Sequence, residues 1–136
     1  MRIFFYFISF LLLASCGQNN PKVKNETPVA QIEFPEGTEY DFGTYFEKEV
    51  KTHAFLVRNS GNVPLVISQL KPSCICTQAT APQKPILGGQ TDTIFVTYDG
   101  DGFLEGFWSK RVTIHANIEN GTRDLCIRGT YYEKRD

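Results

Sequence analysis

The sequence predicts an all-β protein, an immunoglobulin-like antiparallel β-sandwich of about seven strands behind an N-terminal signal peptide and tether. Three observations carry this. From Val29 onward, short alternating segments are broken by Gly, Pro, Asn and Asp at regular intervals. No window of helical length places apolar residues three and four apart. Aromatic residues, 11 Phe, 6 Tyr and 1 Trp, and recurrent β-branched residues suit a pleated surface better than a helix. About seven strands in roughly 100 residues fit a sandwich, with a small closed barrel as the alternative.

The elements follow in order. Ile3 to Ala14 is an apolar run behind a start that carries Arg2, the parts of a secretory leader. A spanning helix needs roughly 20 apolar residues, so this run is too short to cross a bilayer comfortably. The ending Leu13-Ala14-Ser15-Cys16, followed by the polar GQNNPKVKNETP, resembles the bacterial lipobox. That resemblance implies acylation of the Cys16 thiol and cleavage just before it. Residues 1–15 are then the signal peptide, 16–28 the lipidated cysteine and flexible tether, and 29–136 the folded domain. Fully extended, the 12 residues Gly17 to Pro28 reach roughly 40 Å at about 3.5 Å each. Two or three acyl chains, at about 0.8 kcal/mol per buried methylene, anchor stably where one chain holds marginally.

In the domain, Gln31–Phe34 forms a first short strand, and Tyr40–Phe46 follows the turn Pro35-Glu36-Gly37. Val50–Asn59 alternates, with His53, Phe55 and Val57 on one face. Asn59-Ser60-Gly61-Asn62 reads as a turn, because Asn and Gly tolerate positive φ. Val63–Leu70 turns Leu65 and Ile67 to the core, with Pro64 at an edge or entry position. Thr91–Tyr98 does so with Ile94, Val96 and Tyr98, and Lys110–Asn117 with Val112, Ile114 and Ala116. The last strand, Arg123–Tyr131, points Leu125 and Ile127 inward and Cys126 and Arg128 outward.

The order Tyr40-Asp41-Phe42-Gly43, His53-Ala54-Phe55, Asn59-Ser60-Gly61, Pro64-Leu65-Val66-Ile67, Ser73-Cys74-Ile75-Cys76-Thr77, Gly88-Gly89-Gln90 and Leu125-Cys126-Ile127-Arg128-Gly129 resembles domain-of-unknown-function family 1573. The resemblance spans about residues 30 to 131. It implies an immunoglobulin-like module related to the major-sperm-protein and pilus-chaperone class, widespread in bacterial lipoproteins. Two departures are Ile75, where the family usually has Gly, and Leu87-Gly88-Gly89, where a Pro-Gly pair is common.

The balance of 14 Lys and Arg against 15 Asp and Glu leaves no basic excess for a nucleic-acid backbone, so no nucleic acid is expected. Beyond Cys16, three thiols remain: Cys74, Cys76 and Cys126. They are candidates for a disulfide, for redox exchange, or for soft-metal binding of copper or zinc. Three thiols allow three pairings and leave one over. Bridging Cys74 to Cys76 closes a very small ring, which predicts strain and easier reduction. Four zinc ligands cannot be assembled at the usual spacing. His53 reads as a structural side chain and His115 as a surface one. Asp99-Gly100-Asp101-Gly102 lacks the later acidic ligands of a calcium loop and reads as a turn. Asn25-Glu26-Thr27 and Asn120-Gly121-Thr122 match glycosylation spacing without meaning for a bacterial lipoprotein. Trp108, grouped with Phe103 and Phe107, reads as a core lid.

No paired carboxylates, Ser-His-Asp set or phosphate loop is present, so neither an enzyme nor a cofactor is expected. The expected function is non-catalytic binding or scaffolding at the bacterial cell envelope. It would be membrane-anchored through Cys16 and have a protein partner. The runner-up is thiol redox or metal handling through Cys74-Ile75-Cys76.

Overall fold

The computed structural model describes residues 28–100 and 105–135. The leader, Cys16, the tether through residue 27, Asn25-Glu26-Thr27, Asp101-Gly102 and Phe103 lie outside the described residues.

Among the described residues, eight strands form two four-stranded sheets: β1 (Ile32–Glu33), β2 (Glu39–Tyr45), β3 (Lys51–Asn59), β4 (Ile67–Pro72), β5 (Thr77–Thr80), β6 (Thr91–Tyr98), β7 (Gly106–Ala116) and β8 (Thr122–Tyr131). One sheet runs β1-β3-β6-β5 and the other β2-β8-β7-β4. This is the immunoglobulin-like sandwich the alternation predicts, with two corrections. The strand Thr77–Thr80 is additional to the expected seven. The pairing is also not wholly antiparallel, because β2 runs parallel to β8, with Glu39 opposite Cys126 and Tyr45 opposite Tyr131.

The core comes from alternate residues of the two inner faces, as the period of two requires. Phe55, Val57, Ile94 and Val96 meet Val112, Ile114, Leu125 and Ile127, all at most 2% exposed. Cys126 and Arg128 point away from that core on β8, as their parity predicts. β7 begins at Gly106, four residues before the expected start. Trp108 therefore faces inward and is buried, whereas Phe107 faces outward at 68% exposure. Strand alternation splits the aromatic group expected around Trp108.

The Asn59–Asn62 turn has a different cause from the one expected. None of its four residues has positive φ. Instead the fully buried Asn59 accepts from the Gly61 N–H at Oδ1 (3.0 Å) and donates from Nδ2 to the Val63 (2.7 Å) and Ile86 (2.9 Å) carbonyls. One amide thus satisfies three backbone groups, as burial demands. Gly88 is a glycine for lack of space, since a Cβ there would sit 2.6 Å from the Gly61 carbonyl oxygen.

Candidate functional site

A strand at the end of a sheet exposes unpaired N–H and C=O groups, which a protein must cover, distort or use. In this sandwich the edges are treated unequally. β5 is four residues long. β2 is bulged between Asp41 and Thr44, where Gly43 takes φ 70° and donates its N–H to Asp41 Oδ1 at 2.8 Å. β4 shifts register between Ile67 and Gln69 and ends on Lys71-Pro72. Bulges, Lys and Pro all obstruct the addition of another strand.

Among the described residues, β3 is regular and mostly uncovered. On one side it pairs with β6 from Lys51 to Arg58. On the other, β1 reaches only Arg58 and Asn59. The cause lies in one residue. Continuing the β1 register by two would set Pro35 opposite Leu56, and proline has no N–H to give. The chain turns away there, with Gly37 (φ 89°) donating to the Phe34 carbonyl at 3.0 Å.

The direction of the free groups follows from two bonds. Asn59 N–H donates toward β6, to the Gln90 carbonyl, and Ser60 N–H donates toward β1, to the Gln31 carbonyl, both at 3.0 Å. Successive residues alternate sides. Thr52, Ala54 and Leu56 therefore aim their N–H and C=O groups at the uncovered edge. Each supplies one donor and one acceptor.

The outer-face side chains beside this edge, from Thr52 to Leu56, are apolar or uncharged. Across the outer face of its sheet, Thr52 lies opposite Thr97, Ala54 opposite Phe95, and Leu56 opposite Thr93. β5 extends the first two rows with Gln78 and Thr80. Phe95 is 49% exposed. The other sheet's outer face instead carries ion pairs, Arg128 with Glu39 and Asp41 at 3.1 Å each, and Arg111 with Asp124 at 3.8 Å.

Where β3 faces β2, aromatic rings fill the side of the sandwich. Tyr40 stacks on His53 with ring centroids 3.6 Å apart, and His53 meets Phe55 edge-on at 4.6 Å. Lys51 Nζ sits 4.2 Å over the Tyr45 ring and pairs with Glu49. Tyr40 is 39% exposed, so part of its ring is open beside the β3 edge. Burial pushes the His53 imidazole below its ordinary pKa, about 6.5, and Glu36 offsets part of that. The folded state thus prefers neutral His53. Its contribution is fully present above about pH 6.5 and is lost as pH falls toward the depressed value. Urea midpoints measured from pH 7 to 5 should decline, and His53→Phe should flatten the decline. An identical slope in the variant contradicts this assignment.

The structure joins Cys74 to Cys76 in a disulfide (Cα–Cα 5.1 Å) and leaves Cys126 a free, half-buried thiol. Cys126 Sγ lies 3.3 Å from Ser109 Oγ on the outer face of its sheet. Cys74 packs against the core from the loop after β4, so β7 separates the two. Among the described residues, no group of three or more His, Cys, Asp or Glu could hold a metal. His115 and Asn120-Gly121-Thr122 lie on β7 and its turn into β8, away from the cysteines and the β3 edge. The space between Tyr45, Tyr98, Trp108 and Tyr131 amounts to about 10 Å³, at the lower limit for one water.

A family model described as a protein of unknown function, DUF1573, matches residues 32–131. No curated protein matches the chain. Among solved structures, a Porphyromonas gingivalis W83 protein of unknown function is similar at TM-score 0.64 and 18% identity. That match covers 74% of this chain, which spans less than half, 46%, of that protein. A PapD-like domain of human CEP192 is similar at TM-score 0.58 and 12% identity, covering 96% of this chain and 99% of that one. The periplasmic chaperone SfaE gives 0.54 and 13%, covering 77% and 59%. At these identities the likeness shows the fold alone.

Proposed function

We propose a binding function for this chain, which belongs to the DUF1573 family of proteins of unknown function. It is a non-catalytic module that takes an extended segment of a protein partner as an added strand along β3. The observation that carries this is the uncovered edge from Lys51 to Val57, with donors and acceptors at Thr52, Ala54 and Leu56 aimed outward. Strand addition draws affinity from main-chain hydrogen bonds and specificity from alternate side chains. The incoming strand would lay uncharged side chains beside Thr52, Ala54 and Leu56. Its alternate residues, apolar or aromatic, would meet Tyr40 and His53. The likeness to a periplasmic chaperone and a PapD-like domain supports a protein partner.

Peptides panned from a random display library against the full chain test this. Binders should alternate apolar with uncharged residues. N-methylation of every second amide should abolish binding in one register and spare it in the other. Binders indifferent to N-methylation in both registers would rule out main-chain recognition.

The module is held at the bacterial cell envelope by acyl chains on Cys16, with residues 17–28 as spacer. The leader ending Leu13-Ala14-Ser15-Cys16 supports this reading. Cys16→Ser should remove incorporation of a fatty-acid analogue and leave the protein uncleaved or soluble. A label that persists in the variant contradicts the anchor.

A further inference from the structure

We propose that the Cys74–Cys76 bridge is a reversible thiol–disulfide exchange site, separate from the β3 edge. The bridge is poorly suited to a structural role. It spans a sequence separation of two, and a loop so short removes little entropy from the unfolded chain.

The loop is held by other means. Ser73 donates its N–H to the Arg111 carbonyl (2.8 Å), and its Oγ accepts from the Arg111 N–H (3.0 Å). Thr77 N–H donates to the Cys74 carbonyl (3.1 Å), and Asp99 N–H to the Cys76 carbonyl (2.9 Å). Opening the bridge therefore leaves both cysteines tied to β6 and β7 through their neighbours, ready to close again.

The two sulfurs are unequal. Ile75 between them is fully exposed and Cys74 is half-buried, whereas Cys76 is 7% exposed. An incoming thiolate therefore reaches Cys74 first. Cys74 Sγ also lies 3.1 Å from the Cys76 N–H, a donor that stabilises its thiolate once the bridge is open. The side chain of Ile75 offers an apolar contact to whatever delivers the thiol.

The partner is a dithiol. Its thiolate attacks Cys74 Sγ, the Cys74–Cys76 bond breaks, and that electron pair passes to Cys76 Sγ, which takes a proton. The partner's second thiol loses its proton and attacks the partner sulfur of the mixed disulfide. Cys74 leaves as thiolate and is protonated. Two electrons and two protons thus pass from the dithiol to the bridge, and the partner becomes the disulfide. Cys126, on the far side of β7, has no part in the exchange.

The test equilibrates the full chain in detergent with graded mixtures of reduced and oxidised glutathione. Acid quenching, alkylation and peptide mass mapping then read the bridge. It should pass from oxidised to dithiol within the glutathione range with the sheet spectrum unchanged, and Cys126→Ser should behave identically. Cys74 in Cys76→Ser should alkylate at least tenfold faster than Cys76 in Cys74→Ser. A bridge that stays oxidised until the chain unfolds overturns the proposal. So does loss of the sheet spectrum on reduction, equal reactivity of the two thiols, or failure of exchange in Cys126→Ser.

Discussion

Trp108→Ala is expected to lower the unfolding free energy by about 3–5 kcal/mol, the range for removing a large buried aromatic side chain. Trp108 fastens the end of the sandwich where β2, β6, β7 and β8 converge. Its ring stacks on Tyr98 with centroids 3.9 Å apart, and its Nε1 donates to Tyr45 Oη at 2.8 Å. Gly129 on β8 makes room for it, since a Cβ there would meet Trp108 Cζ2 at 2.9 Å and Cε2 at 3.1 Å. Gly129→Ala should accordingly cost about 1–3 kcal/mol through overpacking. The neighbour Phe107, outward and exposed, should tolerate Ala within about 0.5 kcal/mol. For a domain of this size the Trp108→Ala loss lowers the thermal midpoint by about 15–30 °C. Calorimetry of the three variants checks the ordering. Equal midpoints for Trp108→Ala and Phe107→Ala would contradict the inward placement of Trp108.

Ala54→Pro is expected to weaken binding of a strand-adding peptide at least tenfold while the domain still folds. The Ala54 N–H points away from β6, so proline removes no bond of the β3–β6 ladder. Proline is tolerated at a strand edge in this orientation. What is lost is a donor for the incoming strand, and the pyrrolidine ring obstructs the carbonyl that would have met it. One net hydrogen bond is worth about 0.5–1.5 kcal/mol, and 1.4 kcal/mol is tenfold in affinity. Loss of register on either side enlarges the effect. Phe55→Pro, one residue along, removes an N–H aimed at β6 and should unfold the sheet. Titration calorimetry with a panned peptide, alongside circular dichroism of both variants, separates the outcomes. Equal affinity of Ala54→Pro and the parent chain would place the peptide elsewhere.

Much of the fold is legible in the sequence because its long strands bury large apolar residues at a period of two. Phe55 and Val57, Ile94 and Val96, and Leu125 and Ile127 each mark a face without help from tertiary context. β5 escapes this reading for a physical reason. Its inward residues are Thr77, buried at 3%, and the small Ala79, so TQAT carries no hydrophobic alternation. The parallel β2–β8 pair escapes it too, because alternation specifies faces and leaves neighbours open. The early start of β7 was obscured by Gly106, which the strand accommodates at φ 122°.

The candidate edge was half visible. Val50–Asn59 reads as a strand, and Pro35 opens the turn after the first short strand. Only the register that sets Pro35 toward Leu56 turns those two facts into an open edge. The cysteines show the same limit. The spacing of Cys74 and Cys76 allows a bridge, but the choice between them and Cys126 depends on β7 standing in between.

Amide hydrogen exchange at Thr52, Ala54 and Leu56, in the free chain and with a panned peptide bound, tests the central claim most directly. In the free chain these three amides should exchange fast while Phe55 and Val57, bonded to β6, exchange slowly. Peptide binding should slow all three at least tenfold and leave the β2 and β4 edges unchanged. Slow exchange at Thr52, Ala54 and Leu56 in the free chain, or peptide protection confined to another edge, would contradict strand addition along β3.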